Sequence, residues 1–205
     1  LVGDVFRPER LTSLGQGSIA VGHVRYGTTG SDNQRNVQPI LVNHYKGRMA
    51  LAHNGNLTNY HALRRELESQ GSIFQTTTDS EVIAYLIVQE RLRHPSIEAA
   101  VSAAMERLEG AYSLVISSPS KLIAVRDPHG FRPLCMGELR DGSVVFASES
   151  CALDAAGATL LRDVEPGEIV VADAKTGELR SIRDHVGRPD TQMCVFEYIY
   201  FSRPD

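Results

Sequence analysis

The sequence has little of what would place it in several large functional classes. It has no basic surplus: Lys plus Arg is 21 and Asp plus Glu is 25, a net charge of −4, and no run of like charge stands out. A nucleic-acid footprint needs clustered positive charge, so no nucleic-acid partner is expected. No apolar run approaches the roughly 20 residues that span a bilayer, so no membrane partner is expected either. Three cysteines, an odd number without CxxC spacing, argue against a disulfide framework and a zinc ribbon. Repeats and low-complexity segments are absent. The chain begins with Leu1 and not Met, and no signal-peptide pattern follows. The expectation is a cytoplasmic protein whose chain starts inside a longer one.

What is present is ordinary for a folded domain. The 205 residues are 42% apolar and 22% charged. That is enough chain to bury a core without staples, as one large domain or one domain plus the stub of another.

Periodicity divides the chain into strands, then helices, then strands again. Residues 4–14 read as a short helix or turn. Ile19 to Tyr26 reads as a strand, from its β-branched residues. Gly27 to Pro39 is glycine-rich and polar, with almost nothing apolar to pack, and reads as a lid-like loop. Ile40–Tyr45 and Arg48–His53 read as paired strands about a Lys46-Gly47 turn. Thr58 is a candidate N-cap for a helix through Ser69, with Tyr60, Leu63 and Leu67 inward and Gly71 at its end. A helix from Asp79 or Ser80 to about Arg93 is apolar nearly all round, which predicts deep burial. A third helix, from about Ser96 to Glu109, carries the stripe Ile97, Val101, Ala104, Met105 and Leu108, with Gly110 closing it. Short strands follow at 111–117, 121–126, 134–137 and 143–147. Then come a short helix near 151–155 and strands at 169–171 and 178–182. The order predicts a layered α+β domain. Cys194 to Asp205 is apolar and aromatic, with no terminal helix predicted.

Four segments carry residue types that converge on one task. His23 to Gly30 puts Arg25 at a strand end, and arginine is the side chain best shaped to clamp a carboxylate. Ala52 to Leu57 sets the Asn54 amide beside the Gly55 N–H, two donors that can aim at one oxyanion. Thr76 to Glu81 places Asp79 at a helix start, where its carboxylate can hold an ammonium. Asp127 to Leu134 is a turn between strands. Each has a plainer reading. Arg25 alone is a surface charge, Asn54-Gly55 a type I′ hairpin turn, Asp79 an N-cap and the 127–134 turn structural.

Taken together, His23–Gly30, Ala52–Leu57 and Thr76–Val82 resemble the glutaminase domain of the N-terminal-nucleophile amidotransferases. Glu66 to Gln75, Asp127–Leu134, Ala147–Ala152, Val164–Glu168 and Glu197–Asp205 are similar, within that group, to the amidophosphoribosyltransferase family. The resemblance covers essentially the whole chain, in the family's order. It implies a four-layer αββα sandwich of the N-terminal-nucleophile hydrolase type, truncated at its N-terminus. Residues 1–190 would be the glutaminase domain. Residues 191–205 would begin the connection to a phosphoribosyltransferase domain outside this chain.

It further implies that glutamine is hydrolysed by an N-terminal cysteine and that the ammonia passes to phosphoribosyl pyrophosphate, giving 5-phosphoribosylamine in de novo purine synthesis. Arg25 would bind the glutamine α-carboxylate and Asp79 its α-ammonium. Asn54 and Gly55 would form the oxyanion hole. Tyr26 and Thr28 would belong to the loop that closes over the substrate. No cofactor serves the glutaminase step, Mg²⁺ belongs to the absent domain, and a homo-oligomer is implied. Cys194 stands where some members place a [4Fe–4S] ligand; a plain apolar role is the alternative. Cys135 and Cys151 read as small buried residues, with a low-pKa thiolate at Cys151 the alternative there. None of the three has the free α-amine that the nucleophile needs, so residues 1–205 alone are expected to be inactive. Two other readings compete: the glutaminase domain of another class II amidotransferase, and a non-catalytic glutamine-binding module.

Overall fold

A computed structural model describes residues 6–24, 34–188 and 190–201. Two antiparallel sheets lie between two layers of helix. The larger sheet joins β1 (Ile40–His44), β2 (Gly47–Leu57), β3 (Gly110–Ser117), β4 (Lys121–Arg126), β8 (Ile169–Asp173) and β9 (Leu179–Ile182), in that order. The smaller sheet sets β5 (Cys135–Glu138) between β6 (Val144–Ala147) and β7 (Thr159–Asp163).

Period-2 alternation sorts the side chains into layers. Leu51, Leu114, Ile116, Ile123, Val125 and Ile169 face the helices α2 (Tyr60–Ser69), α3 (Asp79–Arg93) and α4 (Ile97–Met105). Those helices return Leu63, Leu67, Ile83, Leu86, Ile87 and Val101 to the same core. Their neighbours along the strands, Ala124 and Val170, turn the other way and meet Leu134, Met136 and Val164 between the sheets. The outer face of the small sheet packs Cys135 against Leu153 of α5 (Ser150–Ala156) and Ala158. The order helix, sheet, sheet, helix is the predicted αββα sandwich. Helix α3 is buried on nearly every side, as its composition predicts: Val82, Ile83, Ala84 and Leu86 are all fully buried. Helix α1 (Pro8–Ser13) falls within the expected 4–14 segment and buries nothing.

Several boundaries differ from expectation, each for a tertiary reason. Residues 19–24 form no strand, because no described strand pairs with them; Arg25 and Tyr26 lie outside the described residues. Of the predicted loop 27–39, residues 27–33 lie outside as well. Its end is not free of packing: Gln34–Asn36 is a 3-10 turn and Asn36 is buried. The β1–β2 turn sits at Tyr45-Lys46, since Gly47 already pairs with His44. Thr58 does not cap α2. Asn59 occupies that position, and its side chain bonds Arg107 O and Glu109 N, tying the helix start to the segment between α4 and β3. Neither Asp79 nor Ser80 caps α3; Thr78 precedes it. Gly110 does not close α4 but opens β3, at φ +135°, with the Asn56 carbonyl 2.4 Å from where a Cβ would stand. Strand β7 was not expected. Its Leu160 and Leu161 are exposed on an edge strand, so they carry no alternation signal. Glu197–Phe201 forms a π-helical turn where no helix was predicted.

Candidate active site

The site is built where β2 ends and α3 begins. Asn54 and Gly55 do not lie in a hairpin turn. They are inside β2, paired with Ser113 and Tyr112 of β3. The two strands approach so closely that a Cβ on Gly55, at φ +144°, would lie 2.0 Å from the Ala111 carbonyl oxygen. Only glycine fits there, and the strand ladder fixes its peptide. The Asn54 amide is partly exposed and donates to Ser148 Oγ at 3.3 Å, in the segment between β6 and α5. That contact places the amide on the face of the large sheet turned toward the small sheet.

Asp79 is the first residue of α3 and is 4% exposed. Its Oδ2 accepts the Leu57 N–H at 2.9 Å, which ties the helix start to the end of β2. Its Oδ1 has no hydrogen bond among the described residues; His53 Nδ1 is 3.7 Å away. A carboxylate in the first turn is favoured by the helix dipole, by about 0.3–1 kcal/mol. Asp79 thus has a structural bond through one oxygen and an open valence on the other.

Sequence reasoning missed the residues that hold this junction. His53 is buried, with Nδ1 3.2 Å from Ser80 Oγ. Burial pushes its pKa below the ordinary histidine value; the Asp79 charge pulls the other way and does not prevail. Glu81 is buried and accepts the N–H groups of Gln75 and Thr76 and the Thr76 hydroxyl. That explains the polar run before α3: it wraps one carboxylate. Asn36 bonds Thr77 through both ends of its amide, and Gln38 Oε1 accepts the His53 N–H at 2.7 Å. The signal for His53 was its place in the quoted His-Asn-Gly-Asn segment. Asn36 and Gln38 gave none.

Of the sequence-predicted residues, Asn54 and Gly55 lie near the end of β2, and Asp79 opens α3, joined to that strand through its bond to Leu57. Arg25, Tyr26 and Thr28 lie outside the described residues. The turn after Arg126 is structural, as its plainer reading held. Asp127 is fully buried and accepts N–H bonds from Tyr112, Phe131 and Arg132.

The cysteines lie elsewhere. Cys135 is buried in β5, and burial raises its thiol to about 11, an inert group. Cys151, at the start of α5, donates its thiol to the Glu149 carboxylate at 3.9 Å. Cys194 lines a cavity of about 290 Å³ with Arg126, His129, Phe131 and Glu197. No three metal-ligating side chains come together among the described residues, so they do not by themselves fit a four-thiolate cluster. A second cavity, of about 530 Å³, lies beside His129 and His185. Neither is lined by Asn54, Gly55 or Asp79. No helix of the described residues is long and apolar enough to cross a membrane.

The αββα sandwich is of the N-terminal-nucleophile hydrolase type. A family model described as a glutamine amidotransferase domain matches residues 23–155, and the chain belongs to that family. Within it, the chain is 49% identical to amidophosphoribosyltransferase 2, chloroplastic, of Arabidopsis thaliana, matching over all of this chain and 36% of that protein. It is 46% identical to amidophosphoribosyltransferase of Methanocaldococcus jannaschii, over all of this chain and 46% of that one. The structure of the glutamine phosphoribosylpyrophosphate amidotransferase of B. subtilis, complexed with ADP and GMP, superposes with a TM-score of 0.80. That match is at 44% identity and covers 89% of this chain and 38% of the other. The chain thus spans less than half the length of the curated relatives it matches.

Proposed function

We propose that this chain is the glutaminase part of an amidophosphoribosyltransferase. It binds glutamine, hydrolyses the side-chain amide and supplies ammonia to phosphoribosyl pyrophosphate, giving 5-phosphoribosylamine in purine biosynthesis. Residues 1–190 are the glutaminase domain, and 191–205 lead toward a phosphoribosyltransferase domain that holds the phosphoribosyl pyrophosphate and Mg²⁺. The protein works in the cytoplasm as a homo-oligomer.

One observation carries this reading. An Asn-Gly donor pair is fixed in β2, and a buried carboxylate that keeps one oxygen uncommitted is bonded to Leu57 at the end of the same strand. Free glutamine presents one reacting carbonyl, one ammonium and one carboxylate. Asn54 and Gly55 serve the first, Asp79 the second and Arg25 the third, with Tyr26 and Thr28 in the loop that closes over it. A thiolate attacks the amide carbon and the carbonyl electrons move onto oxygen. The Asn54 amide turns from Ser148 to that oxygen and, with the Gly55 N–H, stabilises it. The terminal α-amine takes the thiol proton and passes it to the departing nitrogen, so collapse breaks the C–N bond and releases ammonia; water then cleaves the thioester, giving glutamate and the free thiol. The attacking thiol is an N-terminal cysteine and none of Cys135, Cys151 and Cys194, so residues 1–205 alone release no glutamate.

The test uses the full-length protein. Arg25→Ala and Asp79→Asn should each raise the glutamine KM on the order of 100-fold, the loss of one charge-assisted contact. Asn54→Ala should instead lower kcat by about 10²–10³ and leave KM nearly unchanged, because its bond strengthens only in the transition state. Unaltered glutamine saturation in all three variants would overturn the assignment.

A further inference from the structure

The glutamine reading leaves one buried polar side chain of this junction without a role. His53 is 3% exposed and is held at three points. Its peptide N–H donates to Gln38 Oε1 at 2.7 Å, and its carbonyl accepts from His23 Nε2 at 3.2 Å. Its ring reaches into the start of α3, with Nδ1 3.2 Å from Ser80 Oγ and 3.7 Å from Asp79 Oδ1. Nε2 makes no well-formed hydrogen bond among the described residues. The Ala111 carbonyl of β3 is its polar neighbour on the sheet side.

The ring is not placed to act on the reacting amide itself. Successive residues of a strand point to opposite faces. The Asn54 amide reaches Ser148, toward the small sheet, while the His53 ring reaches α3 on the other side. Whatever His53 does for the reaction passes through Ser80 and Asp79.

Charge decides what that is. The groups facing the ring are Asp79 of α3 and the Ala111 carbonyl of β3, which favour its protonation, and His23 and Arg132, which oppose it. Burial outweighs the first two, so the ring is neutral at neutral pH. A neutral imidazole leaves the Asp79 charge available to another cation. A protonated one would turn Nδ1–H toward Oδ1, across 3.7 Å, and close a buried ion pair on the oxygen that the ammonium needs.

We propose that His53 is a positioning residue for the ammonium-binding carboxylate: neutral, it props Ser80 and holds Asp79 Oδ1 open; protonated, it occupies that oxygen and expels the substrate. The inference rests on the reading that Asp79 binds the ammonium of glutamine. It makes substrate affinity, and not turnover, sensitive to acid. By linkage the coupling is reciprocal, so a bound ammonium must make the ring harder to protonate.

The test is glutamine steady-state kinetics of the full-length protein between about pH 5 and 8. In the unaltered protein KM should rise as the ring takes up its proton, approaching tenfold per unit below the His53 pKa located by ring-proton NMR of the same protein, as one competing proton requires; a KM that stays flat through that pKa would overturn the proposal. In His53→Asn, whose amide can still bond Ser80 but cannot take the proton, KM should be flat over that range and within about threefold of the unaltered value at pH 8. In His53→Leu, KM should be raised about tenfold at every pH, with kcat changed less than threefold. If a variant folds poorly, ring-proton NMR of the unaltered protein replaces it: glutamine should lower the His53 pKa. An acid rise in KM that survives His53→Asn, a hundredfold loss of kcat in it, or a His53 pKa unmoved by glutamine would each overturn the proposal. The parent reading is separable. If Asp79→Asn leaves KM unchanged, the ammonium assignment fails; if Asp79→Asn raises KM while the His53 results go against expectation, only this inference fails.

Discussion

Asp79 and Asp127 are both buried aspartates beside β-strands, and they are spent differently. Asp127, just after β4, is fully buried and gives its carboxylate to the N–H groups of Tyr112, Phe131 and Arg132. Its own peptide N–H bonds Tyr112 O, so the turn is closed on both sides. Asp79 gives one oxygen to Leu57 and leaves the other without a hydrogen bond among the described residues. A carboxylate whose lone pairs are all taken by backbone holds a turn. One with an oxygen to spare can hold a ligand. Burial alone does not separate the two; the inventory of bonds does.

The largest effect should come from Asp127. Asp127→Ala strands three buried N–H groups and should cost about 3 kcal/mol or more, a fall in Tm on the order of 10 °C. Its glutamine KM, measured where the protein is still folded, should stay within a fewfold of the unaltered value. Asp79→Asn should show the reverse balance. The amide oxygen can still accept the Leu57 N–H, so a melt should register a loss of about 1 kcal/mol or less, while KM carries the damage. Equal melting losses in the two variants would erase the contrast and make Asp79 a second structural carboxylate.

The smallest effect concerns pH. Glu98 is a third buried carboxylate, satisfied by side chains. Burial would raise its pKa, but hydrogen bonds from Lys121 at 2.9 Å and Arg180 at 2.5 Å outweigh that and bring it down to about 2. Its stabilisation is present above the unfolded value near 4.5 and is lost as pH falls toward about 2. Asp127 has the opposite sign: burial raises its pKa, so its contribution is greatest in acid and declines as pH rises through that raised value. Denaturant melts between about pH 2 and 5 should therefore lose stability less steeply in Glu98→Gln, and more steeply in Asp127→Asn, than in the unaltered protein. Parallel curves for all three would refute both signs.

Much of this was readable in the sequence where local pattern and tertiary demand agree. The all-round apolar stretch of α3, the stripes of α2 and α4 and the β1–β2 hairpin are patterns of a single segment. Reading failed where a distant partner decides. Asn54-Gly55 is the same dipeptide in a hairpin turn and in this strand, and only β3, arriving from Gly110 onward, settles which. Asp79 at a helix start has the look of a cap, yet its oxygen goes to Leu57, 22 residues away. Thr58 and Asn59 give their side chains to the segment between α4 and β3 and not to their own helix. His53 is legible only once Ser80 and Asp79 stand beside it.

The two peptide groups of His53 have one more consequence. Gln38 is fastened to its N–H and His23 to its carbonyl, so two segments that precede β1 are both tied to a single residue of β2. The entropy of bringing those segments together is spent on folding, before any ligand arrives. It grows only with the logarithm of loop length, about 0.6 kcal/mol for each doubling. The strand that carries Asn54 and Gly55 thus also anchors the chain that leads into β1, with no ligand needed to hold it.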